Sequence, residues 1–108
     1  MPSPKSRFDS YQKQAIMSAT PEQLVVKLYD LGIASCHRGD RYKLRAVLRE
    51  LIASLNMEKG GEIAGRLYSI YAFCMDHSAN GDLEPVAEIL GGLRDAWKSA
   101  VVGSARAA

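Results

Sequence analysis

At 108 residues, 47% hydrophobic and 24% charged, the chain has the length and apolar content for one folded core and not for two. Its 14 basic and 12 acidic residues leave a net charge of +2 with the signs interspersed, which argues against a phosphate-tracking surface for nucleic acid. No apolar run nears the roughly 20 residues of a membrane span, and Met1-Pro2-Ser3-Pro4-Lys5 lacks the apolar stretch of a secretion signal, so a cytoplasmic protein is expected.

Residues 1–10, with two prolines, three serines and little apolar content, are expected to be a mobile arm. Tyr11 to Ser18 places apolar side chains at Tyr11, Ala15, Ile16 and Met17, enough for a two-turn helix that must lean on the rest of the chain to persist. Thr20-Pro21-Glu22-Gln23 is the strongest start signal: Thr20 as N-cap, Pro21 at the first helical position, and Gln23 closing a capping box. Leu24, Leu28 and Leu31 then repeat at helical spacing, widened by Val25, Tyr29 and Ile33, until His37-Arg38-Gly39-Asp40 stops a helix of about 21–37.

Asp40 caps a second helix, about 40–56, with Leu44, Val47, Leu48, Leu51, Ile52 and Leu55 on one face and Arg41, Lys43, Arg45, Arg49 and Glu50 turned away. Asn56-Met57-Glu58-Lys59-Gly60-Gly61 supplies turn residues, after which Ile63, Leu67, Ile70, Tyr71, Cys74 and Ser78 mark a third helix, about 62–80. Asp82 opens a fourth, about 83–101, which tolerates Pro85 in its first turn and repeats Val86, Leu90, Leu93, Trp97 and Ala100. Residues 11–102 therefore read as one domain, an all-α antiparallel up-down-up-down four-helix bundle with a short N-terminal helical arm, and residues 103–108 as a disordered tail.

The spacings that chemistry requires are missing. Neither His37 nor His77 follows a glutamate by three residues, as a di-iron bundle needs, so no metal is expected. Asp76 and His77 are adjacent, and adjacent helical residues point about 100° apart, too far to orient one another. Gly60-Gly61-Glu62 lacks the pattern of a phosphate loop, and Cys36 and Cys74 sit in apolar stretches without ligand spacing. The expectation is a protein without catalytic residues or cofactor.

What stands out is apolar surface beyond the need of one seam: Tyr29 and Ile33 beside the first stripe, and Tyr68, Ala72 and Met75 beside the third. Together they suggest a groove for a partner. Gly91-Gly92 in the fourth helix would let another helix approach closely.

Three blocks carry a resemblance. Tyr11 to Asp30 (YQKQAIMSATPEQLVVKLYD), Leu55 to Ala64 (LNMEKGGEIA) with Leu67 to Tyr71, and Leu93 to Trp97 (LRDAW) stand in the order found in the flagellin-specific export chaperones, and the chain resembles that family, the FliS family, from about Tyr11 to Trp97. Two departures accompany the likeness. The first hairpin is shorter by roughly two helical turns per arm, a change that returns each helix to nearly the same face. The family's glycine after Tyr-Asp is Leu31 here, with Gly32 following.

The resemblance implies a cytoplasmic chaperone that takes the C-terminal segment of flagellin, disordered until it packs, into its groove and so prevents premature polymerisation. The residues expected to meet the partner are Tyr11, Ile16, Met17, Leu24, Leu28, Tyr29, Leu55, Ile63, Leu67, Tyr68, Tyr71 and Met75. Of these, Tyr11, Ile16 and Met17 are expected to cover the groove until a client displaces them, or else to cap one end of the core. Export-gate components are further candidate partners, nucleic acid and membrane are not expected, and the free protein is expected as a monomer or weak homodimer. The alternative reading is a divergent bundle serving as adaptor or regulator of other flagellar export components.

Overall fold

The computed structural model describes residues 21–107, with side chains from 23 to 100. The arm 1–10, the short helix at Tyr11 to Ser18 and the Thr20 cap lie outside the described residues. Those described form four helices, α1 (Pro21–Arg38), α2 (Arg41–Ala53), α3 (Met57–Asn80) and α4 (Glu84–Ala107), and no strand. The chain is an all-α helical bundle.

The helix ends follow local hydrogen bonding. Asp40 caps α2 by accepting from the Lys43 amide at 3.0 Å, while Gly39 at φ 69° makes the left-handed turn that ends α1. The second helix stops three residues before the expected 56, because Ser54 and Leu55 donate back to Glu50 and Ile52. Asn56 then caps a new turn, its Oδ1 accepting from the Lys59 amide at 2.9 Å, so α3 begins at Met57 where a loop was expected. Gly61, at φ 54° and ψ −127°, breaks that turn from the rest of α3 in a conformation open essentially to glycine alone. Gly60 is needed for space, since a Cβ there would stand 2.7 Å from the Ala64 Cβ. At the other end, α4 runs on to Ala107, beyond the expected end at about 101, and Ala108 lies outside the described residues.

The core draws on every helix: Leu28, Tyr29 and Cys36 from α1, Leu44, Val47, Leu48 and Leu51 from α2, Tyr71 and Cys74 from α3, and Val86 and Leu90 from α4, with Leu83 just before it. Leu44, Leu48, Leu51, Val86 and Leu90 are fully buried. Gly32 lies where α1 meets both α2 and α4: a Cβ built there would be 2.9 Å from Leu90 Cδ1 and 3.4 Å from Val47 Cγ1. The expectation for Gly91 and Gly92 is corrected, because nothing lies within 4 Å of a Cβ at either. Among the described residues no neighbouring helix uses the room they leave.

Specific contacts fix how the helices run. Asp30 with Arg94 and Gly32 beside Leu90 make α1 and α4 antiparallel. Arg41 on the carbonyls of His77, Ser78 and Gly81, and Arg45 on that of Met75, do the same for α2 and α3. The polar core is closed. Tyr29 and Tyr71 share a hydrogen bond of 2.6 Å between hydroxyls, Ser35 Oγ donates to the Leu31 carbonyl and Ser78 Oγ to that of Met75. Among the described residues no buried side-chain polar atom lacks a partner.

Candidate functional site

α3 is the helix whose apolar residues exceed its burial. Ala64, Tyr71, Cys74 and Ser78 point into the bundle, and that stripe uses one side of the helix only. At about 100° per residue, Ile63 and Ile70 fall along one edge of the stripe, Tyr68 and Met75 along the other, and Phe73 on the side turned away from it. The Arg45 guanidinium, reaching the Met75 carbonyl and Ser78 Oγ, sets the Met75 edge toward α2. Ile63 is 70% exposed, Tyr68 49%, Phe73 48% and Met57, across the Gly61 break, 53%. Four large apolar side chains on one helix are thus held toward solvent by a rigid core behind them. Phe73 is stacked on His77 with ring centroids 4.7 Å apart, which covers part of one face of the ring.

The expected partner residues divide into four groups. Ile63 and Tyr68 are exposed and available. Leu24, Leu55, Leu67 and Met75 are half-buried and pack on the core with an edge uncovered. Leu28, Tyr29 and Tyr71 are corrected: they are core residues, closed to a partner, because the Tyr29 and Tyr71 hydroxyls satisfy each other inside the bundle. Tyr11, Ile16 and Met17 lie outside the described residues. Phe73 and Met57 were missed. Phe73 precedes the buried Cys74 and sits off the periodic line, and Met57 falls in a stretch that reads as a loop; the cap at Asn56 was the signal that could have placed it on a helix.

The electrostatics are those of a structural core. Burial raises the Tyr29 and Tyr71 hydroxyls above the ordinary tyrosine value, and their hydrogen bond raises Tyr71 further. Burial and the nearby Cys36 push the Cys74 thiol up to about 11, and burial raises Cys36 as well, so both remain protonated thiols at neutral pH. Among the described residues no group of three potential ligands could hold a metal ion, and no helix is long and apolar enough to cross a membrane.

The family described as Flagellar protein FliS matches residues 40–104. The chain belongs to the FliS family. The match takes in α2, α3 and most of α4, and with them the exposed residues of α3. FliS proteins are helical bundles with a general role as flagellar export chaperones, a family of binders and not of enzymes. No curated protein and no solved structure matches the chain. The FliS match begins at Asp40, so α1 and the Tyr11–Asp30 block lie outside it. Among the described helices α2, at 13 residues, is the shortest, about 20 Å long.

Proposed function

We propose that this protein is a cytoplasmic export chaperone for flagellin, binding the client's C-terminal segment and keeping it unpolymerised until export. The observation that carries the reading is the uncovered apolar flank of α3 that carries Ile63 and Phe73, with Tyr68 exposed beyond the opposite edge of the buried stripe, on a chain of the FliS family. An amphipathic client segment that is disordered in solution gains a partner for its apolar face by folding along such a flank as a helix in a groove. The ordering cost, about 2 to 5 kcal/mol of the gross interaction energy, keeps the complex releasable without a nucleotide.

The test mixes the full chain with the C-terminal segment of flagellin from the same organism and measures mass by light scattering and helicity by circular dichroism. A one-to-one complex with a gain of helix is expected. Ile63→Ser combined with Tyr68→Ser should weaken it at least about tenfold while leaving the unfolding midpoint nearly unchanged, because both side chains stand in solvent. No complex with the unaltered chain overturns the reading. The adaptor alternative then leads, favoured by the short α2 and by a family match that starts only at Asp40.

A further inference from the structure

On α3, Ile63, Ile70 and His77 stand seven positions apart, and seven positions turn a helix by only about 20°, so the three line up over about 21 Å of its length. Phe73 lies beside that line, about 40° around the helix from His77, and is 48% exposed. The Arg66–Glu62 pair lies on the same side, its charges meeting at 2.6 Å with both side chains in solvent. The Phe73 ring is stacked on that of His77, with centroids 4.7 Å apart and planes tilted by 31°. Phe73 is thus an exposed aromatic side chain that a neighbour nonetheless holds.

His77 is held in its turn. Gly81, at φ −88° and ψ −177°, has a backbone open to any residue, yet a Cβ there would stand 3.2 Å from both Cγ and Nδ1 of His77. The glycine therefore leaves room for the imidazole, which rests against the chain where α3 ends. The backbone under the ring is tied as well, because the His77 carbonyl accepts from the Gly81 amide at 2.8 Å and from Arg41 Nη1 of α2 at 3.4 Å. A chain of contacts runs from the end of α3 through His77 to Phe73.

We infer that Phe73 is the anchor of the client surface on α3, and that His77 is the positioning residue that keeps its ring ready. The inference rests on the flagellin-chaperone reading and deepens it. A side chain that is free in solvent loses rotamer freedom when a partner fixes it, and that loss is subtracted from what the contact yields. Phe73 has given up part of this freedom before the client arrives, and an aromatic ring presents a large apolar area for a single residue. The braced ring seats one apolar side chain of the client helix, and the line through Ile70 and Ile63 receives those that follow along its axis. A client segment with an apolar residue opposite Phe73 is therefore preferred over one with a charge there.

The test titrates the full chain and its variants with the flagellin C-terminal segment, and follows the Phe73 ring by NMR in the free protein. Phe8 and Phe73 are the two phenylalanines, so the ring signals of Phe73 are identified by their loss in Phe73→Ala. Without client, His77→Ala should move these signals toward those of an unstacked phenylalanine, because the ring current of the imidazole is gone. Phe73→Ala should weaken the complex about tenfold and His77→Ala about three- to fivefold, with His77→Phe, which keeps a ring to stack on, recovering most of the loss. The double variant should bind no more weakly than Phe73→Ala alone, because His77 acts through the ring. Phe73 is exposed and His77 half-buried, so the variants are expected to fold, which circular dichroism checks. Absence of a complex with the unaltered chain overturns the flagellin reading and the anchor with it, whereas a complex that Phe73→Ala leaves intact overturns the anchor alone. Unchanged affinity in His77→Ala, losses that multiply in the double variant, or Phe73 signals indifferent to His77→Ala would each overturn the positioning role.

Discussion

Where α1, α2 and α4 meet, Leu44, Val47 and Leu90 close around Gly32 with no room for a Cβ, whereas along the outer side of α3 the same kinds of residue, Ile63, Tyr68 and Phe73, meet solvent. The two regions have similar composition and opposite fates. The difference teaches that apolar content does not by itself assign a residue to the core: the junction is saturated, so what α3 carries beyond one stripe has nowhere inside to go. A bundle already closed behind α3 can hold that surplus outward without collapsing onto it.

The largest effect that separates the regions is expected from Leu90→Ala. Leu90 is fully buried against Gly32, so its truncation should cost about 2 to 5 kcal/mol in urea unfolding; a loss as small as that of Ile63→Ser would dissolve the contrast. Gly32→Ala comes next. Its Cβ would press on Leu90 Cδ1 at 2.9 Å, costing roughly 1 to 3 kcal/mol, and pairing it with Leu90→Val should recover part of that loss if the clash is the cause.

The smallest effect is one of pH. The folded-state pKa of Cys74 rises from 9.0 to about 11, so the unfolded chain loses this proton first. Stability from this group is whole below pH 9 and is lost as pH climbs toward 11. The thermal midpoint should fall over that window, and Cys74→Ala should flatten the early part of the fall, with the later part left to the raised tyrosines. An unchanged slope in Cys74→Ala would place the titrating group elsewhere.

The helix count and the stripes of α1, α2 and α4 were legible in the sequence because caps and 3.6-residue periodicity are local properties. Asp40 behaves as its position before α2 suggests, and the thiols of Cys36 and Cys74 are buried as their apolar surroundings suggest. The candidate site was legible only in part. Periodicity puts Tyr71 on the stripe of its helix and Tyr29 only beside one, and it does not show that their hydroxyls, 42 positions apart, satisfy each other and so remove both from the surface. Glycine was misread for a related reason: Gly91-Gly92 looks like a close helix contact and faces open space, while the single Gly32 makes that contact. Which neighbour fills the space beside a glycine is a property of the packing and not of the residues next to it. Asn56 was read as the start of a loop because the two glycines after it hide the one turn that it caps.

The break at Gly61 also separates two parts of α3 that differ in what holds them. The turn Met57–Gly60 has local bonds of its own, the Gly60 amide to the Asn56 carbonyl at 2.7 Å and the Lys59 amide to Asn56 Oδ1, and each of its residues is exposed. Beyond the break Ala64, Tyr71, Cys74 and Ser78 are buried in the bundle. A turn that buries no side chain adds little to global stability, so local opening of α3 is expected to begin at Met57 and to stop at the first buried residue, Ala64.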